Sequence, residues 1–254
     1  MQGTLLSFPD IAPFDLDTEP YRRKLLYSNP VRQNGKVTQV IGLVIESIGP
    51  PAMLGEICEI YYDRANHYDP SKPPIKAEVV GFRDKRVLLM PLGVMEGIKP
   101  GSEVVATRRT LEVGVGDALL GRMLNGLGEP MDNLPSPDLR HTYPVNNQPP
   151  NSLTRPRITR PLHTGVRVLD GCLTFGEGQR MGIFAGSGVG KSTLMGMIAR
   201  SSSADVNVIA LVGERGREVR DFIEESLGEE GLRRSVVVIA TSDQPALVRI
   251  KAPL

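Results

Sequence analysis

The sequence predicts an α/β protein in two parts: a small β-barrel, then a parallel sheet with crossover helices. Two patterns predict it. Between Lys36 and about Thr107 the chain reads as short β-branched runs broken by glycine and proline, the spacing of a small all-β barrel or sandwich. From Gln179 onward the order is strand, glycine loop, helix, strand, helix, strand, an alternation that builds a parallel sheet. With 254 residues, 40% of them hydrophobic, the chain can bury a core in each part.

Taken in order, residues 1–30 mix Pro9, Pro13, Pro20 and Pro30 with charges and read as a tail, in which only YRRKLLYS suits a short helix. Residues 31–108 are the expected barrel, carrying VTQVIGLVIESIGP, GEICEIYY, KAEVVGF, RVLLMPL and SEVVATR. The polar stretch Arg83-Asp84-Lys85 between Phe82 and Arg86 is short enough for a hairpin turn. Met90 and Met95 read as barrel packing. Residues 109–254 form the second part. It opens with a connection in which positions 130–161 hold eight of the 21 prolines, so an extended surface path is expected. The basic cluster Arg155, Arg157 and Arg160 lacks interleaved aromatics and reads as a solvated face or an inter-subunit rim.

Beyond it, Arg180–Phe184 reads as a buried strand, and Lys191–Ala199 as a helix whose Leu194, Met197 and Ile198 share one face. Val206–Val212 is a continuous apolar run, as a parallel strand covered on both sides requires. Val219, Phe222, Ile223 and Leu227 recur at helical spacing, with Gly228 placed to stop that helix. Ser235–Ala240 reads as a third buried strand.

Composition excludes several classes. Thirty basic against 29 acidic residues leave a formal charge of +1, so no global field draws the chain to nucleic acid or an anionic membrane. Cys58 and Cys172 stand far apart, outside any disulfide framework or zinc spacing, and fit a reducing compartment. His67, His141 and His163 are expected in separate loops without metal-ligand spacing. MQGTLLSFPDIAPFDLD lacks the basic start and apolar run of a secretory signal, and no stretch approaches eighteen apolar residues, so a soluble cytoplasmic protein is expected.

The chemistry is concentrated in Ala185-Gly186-Ser187-Gly188-Val189-Gly190-Lys191-Ser192-Thr193. This loop follows an apolar run and opens a helix, the context in which it cradles the phosphates of a nucleoside triphosphate. The glycines let backbone N–H groups turn inward, and the helix start directs positive potential at the same anion. Lys191 reaches the β and γ phosphates. The Ser192 hydroxyl serves a magnesium ion bridging them, and Thr193 packs near the α phosphate. Ala185 stands where the general motif has glycine. At the end of the next strand comes Gly213-Glu214-Arg215-Gly216-Arg217-Glu218, which delivers Glu214 to the side of the sheet where ligands bind. A carboxylate there can hold an attacking water, worth about 10²- to 10⁴-fold in rate, or can be one member of a solvated loop pair.

The stretches PRITRPLHTGVRVLDG, GEGQRMGIFAGSGVGKST and VNVIALVGERGREVRDFIEESLGEEGLRRSVVVIATSDQP closely resemble the flagellar-type (type III) protein export ATPase, a relative of the F-type ATP synthase β-subunit. VIGLVIESIGP, GEICEI, AEVVGFRDKRVLLMPLG and GRMLNGLGEPMD resemble that family's barrel and its junction, so the likeness runs from about Val37 to the C-terminus. It implies a RecA-like P-loop domain that binds ATP and magnesium, with Lys191 on the terminal phosphates, Ser192 on the metal, Glu214 polarising the water and Arg215 supporting the phosphate side. The glutamate at 214 implies a catalytic chain, since non-catalytic synthase subunits carry glutamine there. The resemblance further implies a homohexamer at the cytoplasmic face of the inner membrane. Its partners would be export-gate, stalk and regulatory proteins, with exported flagellar subunits or their chaperones as cargo and no nucleic acid.

The chain departs from the family pattern by ending at Leu254, before the Walker B strand, arginine finger, adenine pocket and helical C-terminal domain. The expectation is a domain truncated before Walker B, with an unpaired apolar edge that leaves it poorly soluble or dependent on a partner. Competing readings are a non-hydrolysing nucleotide- or partner-binding fragment, an injectisome secretion ATPase and an RNA-translocating helicase. Near-neutral charge and few aromatics weigh against the last.

Overall fold

The computed structural model describes residues 18, 19, 21, 22, 33–62, 73–186 and 188–254. The chain divides into Met1–Gln33 and Asn34–Leu254. In the first unit Arg22 N–H donates to the Thr18 carbonyl at 2.9 Å. Of YRRKLLYS, Tyr21 and Arg22 are helical and the remainder lies outside the described residues.

The barrel is closed and six-stranded: β1 (Gly35–Ile41), β2 (Val44–Ile48), β3 (Glu56–Tyr61), β4 (Ile75–Arg83), β5 (Arg86–Pro91) and β6 (Glu103–Thr110), in the order β1-β2-β5-β4-β3-β6. Closure comes from antiparallel pairing of Gly35 with Val104 and Lys36 with Glu103. It removes the sheet edges, which settles barrel against sandwich. Alternate residues point inward, and Val37, Ile45, Cys58, Ile60, Val79, Leu89 and Val104 form the core. Burial pushes the Cys58 thiol up to about 12, so it packs as an inert small hydrophobe. Met95 packs on this core.

The expected β4–β5 hairpin forms through two residues, Asp84 (φ 47) and Lys85 (φ 65). Positive φ at both is the type I′ geometry that matches strand twist. Beside it, buried Glu46 accepts hydrogen bonds from Gln39, Arg83 and Arg86, and these donors hold its carboxyl below the usual range.

The second part holds short elements: β7 (Glu112–Val115), β8 (Met123–Asn125), β9 (His141–Pro144), β10 (Pro161–Leu162), α1 (Arg167–Cys172), β11 (Phe175–Gly176), α2 (Lys191–Ser201), β12 (Asn207–Val212), α3 (Gly216–Asp221), α4 (Gly228–Arg233), β13 (Ser235–Ala240) and α5 (Ala246–Lys251). One π-helical turn, Phe222–Leu227, joins α3 to α4. The parallel sheet runs β12-β13-β8, while β7 pairs with β9 and β10 with β11. Ala199, Ile209, Leu211, Val219, Phe222, Leu227, Val237 and Ile239 form its core. The proline-rich connection lies on the surface with Arg155, Arg157 and Arg160 exposed, and Arg160 Nη2 stands 2.7 Å from Glu177 Oε2.

Four expectations change. Arg180–Phe184 takes no regular structure and pairs with no described strand, and Met181, Ile183 and Phe184 are exposed. An apolar run becomes a strand only when a neighbour accepts its backbone groups. In place of that strand the sheet takes β8, from a stretch read as connection, whose Met123, Leu124 and Asn125 pair with Val237, Val238 and Ile239. The buried residues of α2 are Gly196 and Ala199, with Met195 packed beside them, whereas Met197 is exposed. Finally β12 is covered on one face only: Ile209 and Leu211 are buried in the core while Val208, on the opposite face, is 75% exposed. Gly228 does break the preceding helix with φ 62, and α4 resumes at once.

Among the described residues no helix is long and apolar enough to cross a membrane, and no group of three or more His, Cys, Asp or Glu is placed to hold a metal ion. His67 lies outside the described residues.

Candidate nucleotide site

Gly186, Gly188 and Gly190 stand clear of the protein: a Cβ built on any of them would meet nothing within 4 Å. Packing therefore does not require these glycines. Conformation requires two of them, with φ 76 at Gly188 and 95 at Gly190. Gly190 is the residue before α2, and no side chain caps that helix. The first intrahelical bond is Leu194 N–H to the Gly190 carbonyl at 2.9 Å. The amides of Lys191, Ser192 and Thr193 thus lack intrahelical acceptors and face outward at the positive end of an 11-residue helix.

The second wall comes from the end of β12. Gly213 turns the chain with φ 75, its N–H donating to the Ala240 carbonyl at 2.8 Å. Ser242 N–H donates to the Glu214 carbonyl at 3.1 Å, so the Glu214 backbone is held by the turn that follows β13. Lys191 Nζ and Glu214 Oε1 face each other at 3.7 Å.

Together the two loops line a cavity of about 430 Å³ formed by Gly186, Gly188, Gly190, Lys191, Ser192, Thr193, Glu214 and Glu218. The residues gathered here suit a triphosphate with a hard cation. Free helix-start amides and an ammonium face the anion, while a hydroxyl and two carboxylates offer oxygen to a metal. The open space over each glycine leaves room for an anion to approach the backbone.

Not every expected site residue lines the cavity. Ala185 and Val189 are exposed outside it, and Ser187 lies outside the described residues. Arg215 precedes α3 and does not itself line the cavity; its Nη1 pairs at 3.6 Å with Oε1 of Glu218, which does. Glu218 itself was missed. The signal was available: an acid in the first turn of a helix that opens directly after Glu214 shares its end of the sheet.

A glycine loop opening a helix, facing a carboxylate at the end of a parallel strand and set behind a closed β-barrel, defines a P-loop nucleotide-binding domain with an N-terminal barrel. Family models agree with both parts. The beta-barrel domain of the ATP synthase alpha/beta family matches residues 37–108, and that family's nucleotide-binding domain matches residues 165–254. The chain belongs to the ATP synthase alpha/beta family.

Among its relatives, the flagellum-specific ATP synthase of Bacillus subtilis is 54% identical over 221 residues, covering 87% of this chain and 49% of the relative. A type 3 secretion system ATPase of Xanthomonas euvesicatoria is 49% identical, with 87% and 49% covered. The assembled ATPase EscN of enteropathogenic Escherichia coli, solved with its central stalk EscO, matches with a TM-score of 0.75 and 42% identity over 86% of this chain and 51% of that one. The chain spans about half the length of the curated relatives it matches.

Proposed function

We propose that this chain supplies the barrel (residues 31–108) and the nucleotide-binding part (109–254) of an ATPase that drives flagellar-type protein export. The observation that carries the reading is the meeting of Lys191 and Glu214, 3.7 Å apart, across a cavity walled by the glycine loop. In this reading the Lys191 ammonium and the amides of the loop hold the β and γ phosphates of ATP, and Thr193 sits toward the α phosphate. The Ser192 hydroxyl would hold magnesium, which supplies charge neutralisation between the phosphates. Glu214 accepts a hydrogen bond from the water aligned with the γ-phosphorus and orients it for in-line attack. Arg215, released from Glu218, supports the phosphate side.

By likeness to its relatives the chain would act in a homohexamer at the cytoplasmic face of the inner membrane, around a central stalk like that solved with EscN. Export-gate and regulatory proteins would adjoin it, and flagellar subunits or their chaperones would be the cargo. A second reading, nucleotide binding without turnover, is favoured by the unpaired, exposed Arg180–Phe184 run that leads into the loop.

Magnesium-dependent ATP hydrolysis by the purified, mass-verified chain separates the two. Turnover lost in Lys191→Ala together with nucleotide binding, and lost in Glu214→Gln with binding kept, supports the first reading; the Glu214 loss is expected at about 10²- to 10⁴-fold. Near-normal turnover in Glu214→Gln sinks the assignment of the water-holding group.

A further inference from the structure

Helix α5 sits where three parts of the molecule meet. Its Leu247 and Val248 pack with Ile57 and Leu92 of the barrel region and with Ala240 at the end of β13. A Cβ added to Gly126, just after β8, would come within 2.7 Å of Val248 Cγ1 and 3.2 Å of Ala252 Cβ, so the helix is wedged with no slack on that side. Lys251 closes the wedge. Its ammonium donates to Glu78 Oε1 on barrel strand β4 at 2.9 Å, with the two side chains only 6% and 9% exposed.

A buried pair of this kind differs from a surface one, because loss of either member leaves the other as an uncompensated buried charge. Glu78 Oε2 is buried without a hydrogen-bond partner, so the carboxylate depends on Lys251. Lys251 has one further acceptor, Asn146 Oδ1 at 3.4 Å.

The N-terminal end of the same helix leads to the nucleotide cavity. Gln244 N–H donates to the Thr241 carbonyl at 3.0 Å, closing a turn, and Ser242 N–H within that turn holds the Glu214 carbonyl at 3.1 Å. A continuous path of packed and hydrogen-bonded groups therefore runs from Glu78 in the barrel to the backbone of Glu214.

We propose that Lys251 and Glu78 are positioning residues for Glu214, acting from the barrel through α5 and the turn at 241–244; the catalytic consequence rests on the water-holding role proposed for Glu214. With the pair intact, α5 has one seating, the turn has one position, and the Glu214 carboxylate is presented to the cavity at a fixed height. Without it, α5 shifts to hydrate the remaining charge and the Ser242–Glu214 hydrogen bond loosens.

Amide hydrogen exchange on the whole chain reads this directly. In Lys251→Met, and in Glu78→Gln should the first not fold, the Ser242 amide should exchange roughly tenfold faster, since its protection reports local opening. The Val237 and Ile239 amides of β13 should stay within about twofold of wild type, showing that the sheet is intact. Lys251→Arg, which keeps the charge, should restore slow exchange. A folded variant whose Ser242 amide exchanges at the wild-type rate overturns the proposal.

The kinetic companion is ATP turnover: kcat should fall with KM unchanged, because Glu214 acts on water and not on nucleotide affinity. A raised KM at unchanged kcat counts against positioning. A wild-type chain without turnover would sink the hydrolysis reading alone, leaving the exchange result to decide the linkage.

Discussion

Gly196→Ala tests how the phosphate loop is held. Gly196 lies in the second turn of α2 and is buried against the π-helical turn. A Cβ built there falls 2.4 Å from the Ser226 carbonyl oxygen and 2.7 Å from its carbon. Ordinary van der Waals contact begins at 3.4 Å, so the substituted helix is about 1 Å too close to backbone that no rotamer change can move. Two effects oppose. Alanine gains about 1 kcal/mol of helix propensity over glycine, and overpacking costs about 1–3 kcal/mol. The net expectation is a loss of roughly 1 kcal/mol, or a Tm lower by about 2–4 °C for a chain of this size.

The larger effect is geometric. Because α2 begins at Lys191, the outward shift of the helix carries the loop with it, and misplacement by ~1 Å can cost as much as 10²-fold where groups must align. Calorimetric titration with magnesium-ATP should show weakened binding, measured beside thermal unfolding. Gly171→Ala is the matched control, in α1, where an added Cβ meets nothing within 4 Å. It should stabilise by about 0.4–1 kcal/mol through the unfolded chain. A Gly196→Ala protein with wild-type Tm and affinity would refute both the packing of α2 and the argument that this packing sets the loop.

Two further outcomes follow from burial and charge. Arg122 holds Asp132 bidentately, at 2.6 and 2.9 Å, and keeps its carboxyl well below the usual carboxylate range. A depressed carboxyl contributes stability that is present above the unfolded value near 4 and disappears as pH falls toward the folded one. Arg122→Met should therefore be less stable than wild type at neutral pH, with the difference shrinking below about pH 4; urea melts across pH that show a constant difference would contradict this. Leu227, 0% exposed at the end of the π-helical turn, should cost about 2–5 kcal/mol as Leu227→Ala. That should appear as a lower urea midpoint with an unchanged slope.

Legibility in the sequence followed the range of the interactions. The Asp84-Lys85 turn and the helix from Lys191 are local events, governed by φ preferences and helix periodicity within a few residues, and both could be read. The barrel was readable as a class because its strand lengths and breaks are local, while closure through Gly35 and Val104 is not. What escaped was pairing at a distance. Met123–Asn125 is three residues with no periodic signature, and it becomes a strand only because β13 presents an edge to it more than a hundred residues later. Arg180–Phe184 has the composition of a strand and lacks the neighbour. Scanning α2 for large apolar side chains likewise picked out Met197 and passed over buried Gly196 and Ala199, and the missing side chain of Gly196 is what lets the helix approach Ser226. In the cavity the glycine loop, Lys191 and Glu214 were legible as motifs, whereas Glu218 required knowing how α3 is directed.

The distance between Lys191 and Glu214 bears on how such a cavity accepts an anion. At 3.7 Å the pair is too long for a hydrogen bond, and its side chains are 43% and 38% exposed. Such exposed pairs contribute about 0–1 kcal/mol. The two groups are therefore adjacent because the backbone delivers them there, through the start of α2 and the Ser242-held end of β12, and mutual attraction adds little. Separating them costs correspondingly little. An arriving phosphate can take the ammonium in a charge-assisted bond, roughly twice as strong as a neutral one, and leave the carboxylate free to accept from water. A tight buried pair like that of Lys251 and Glu78 would resist the same exchange, since freeing either partner strands a charge. The contrast suits the two pairs to the opposite tasks proposed for them, a yielding one at the cavity and an unyielding one where position is kept.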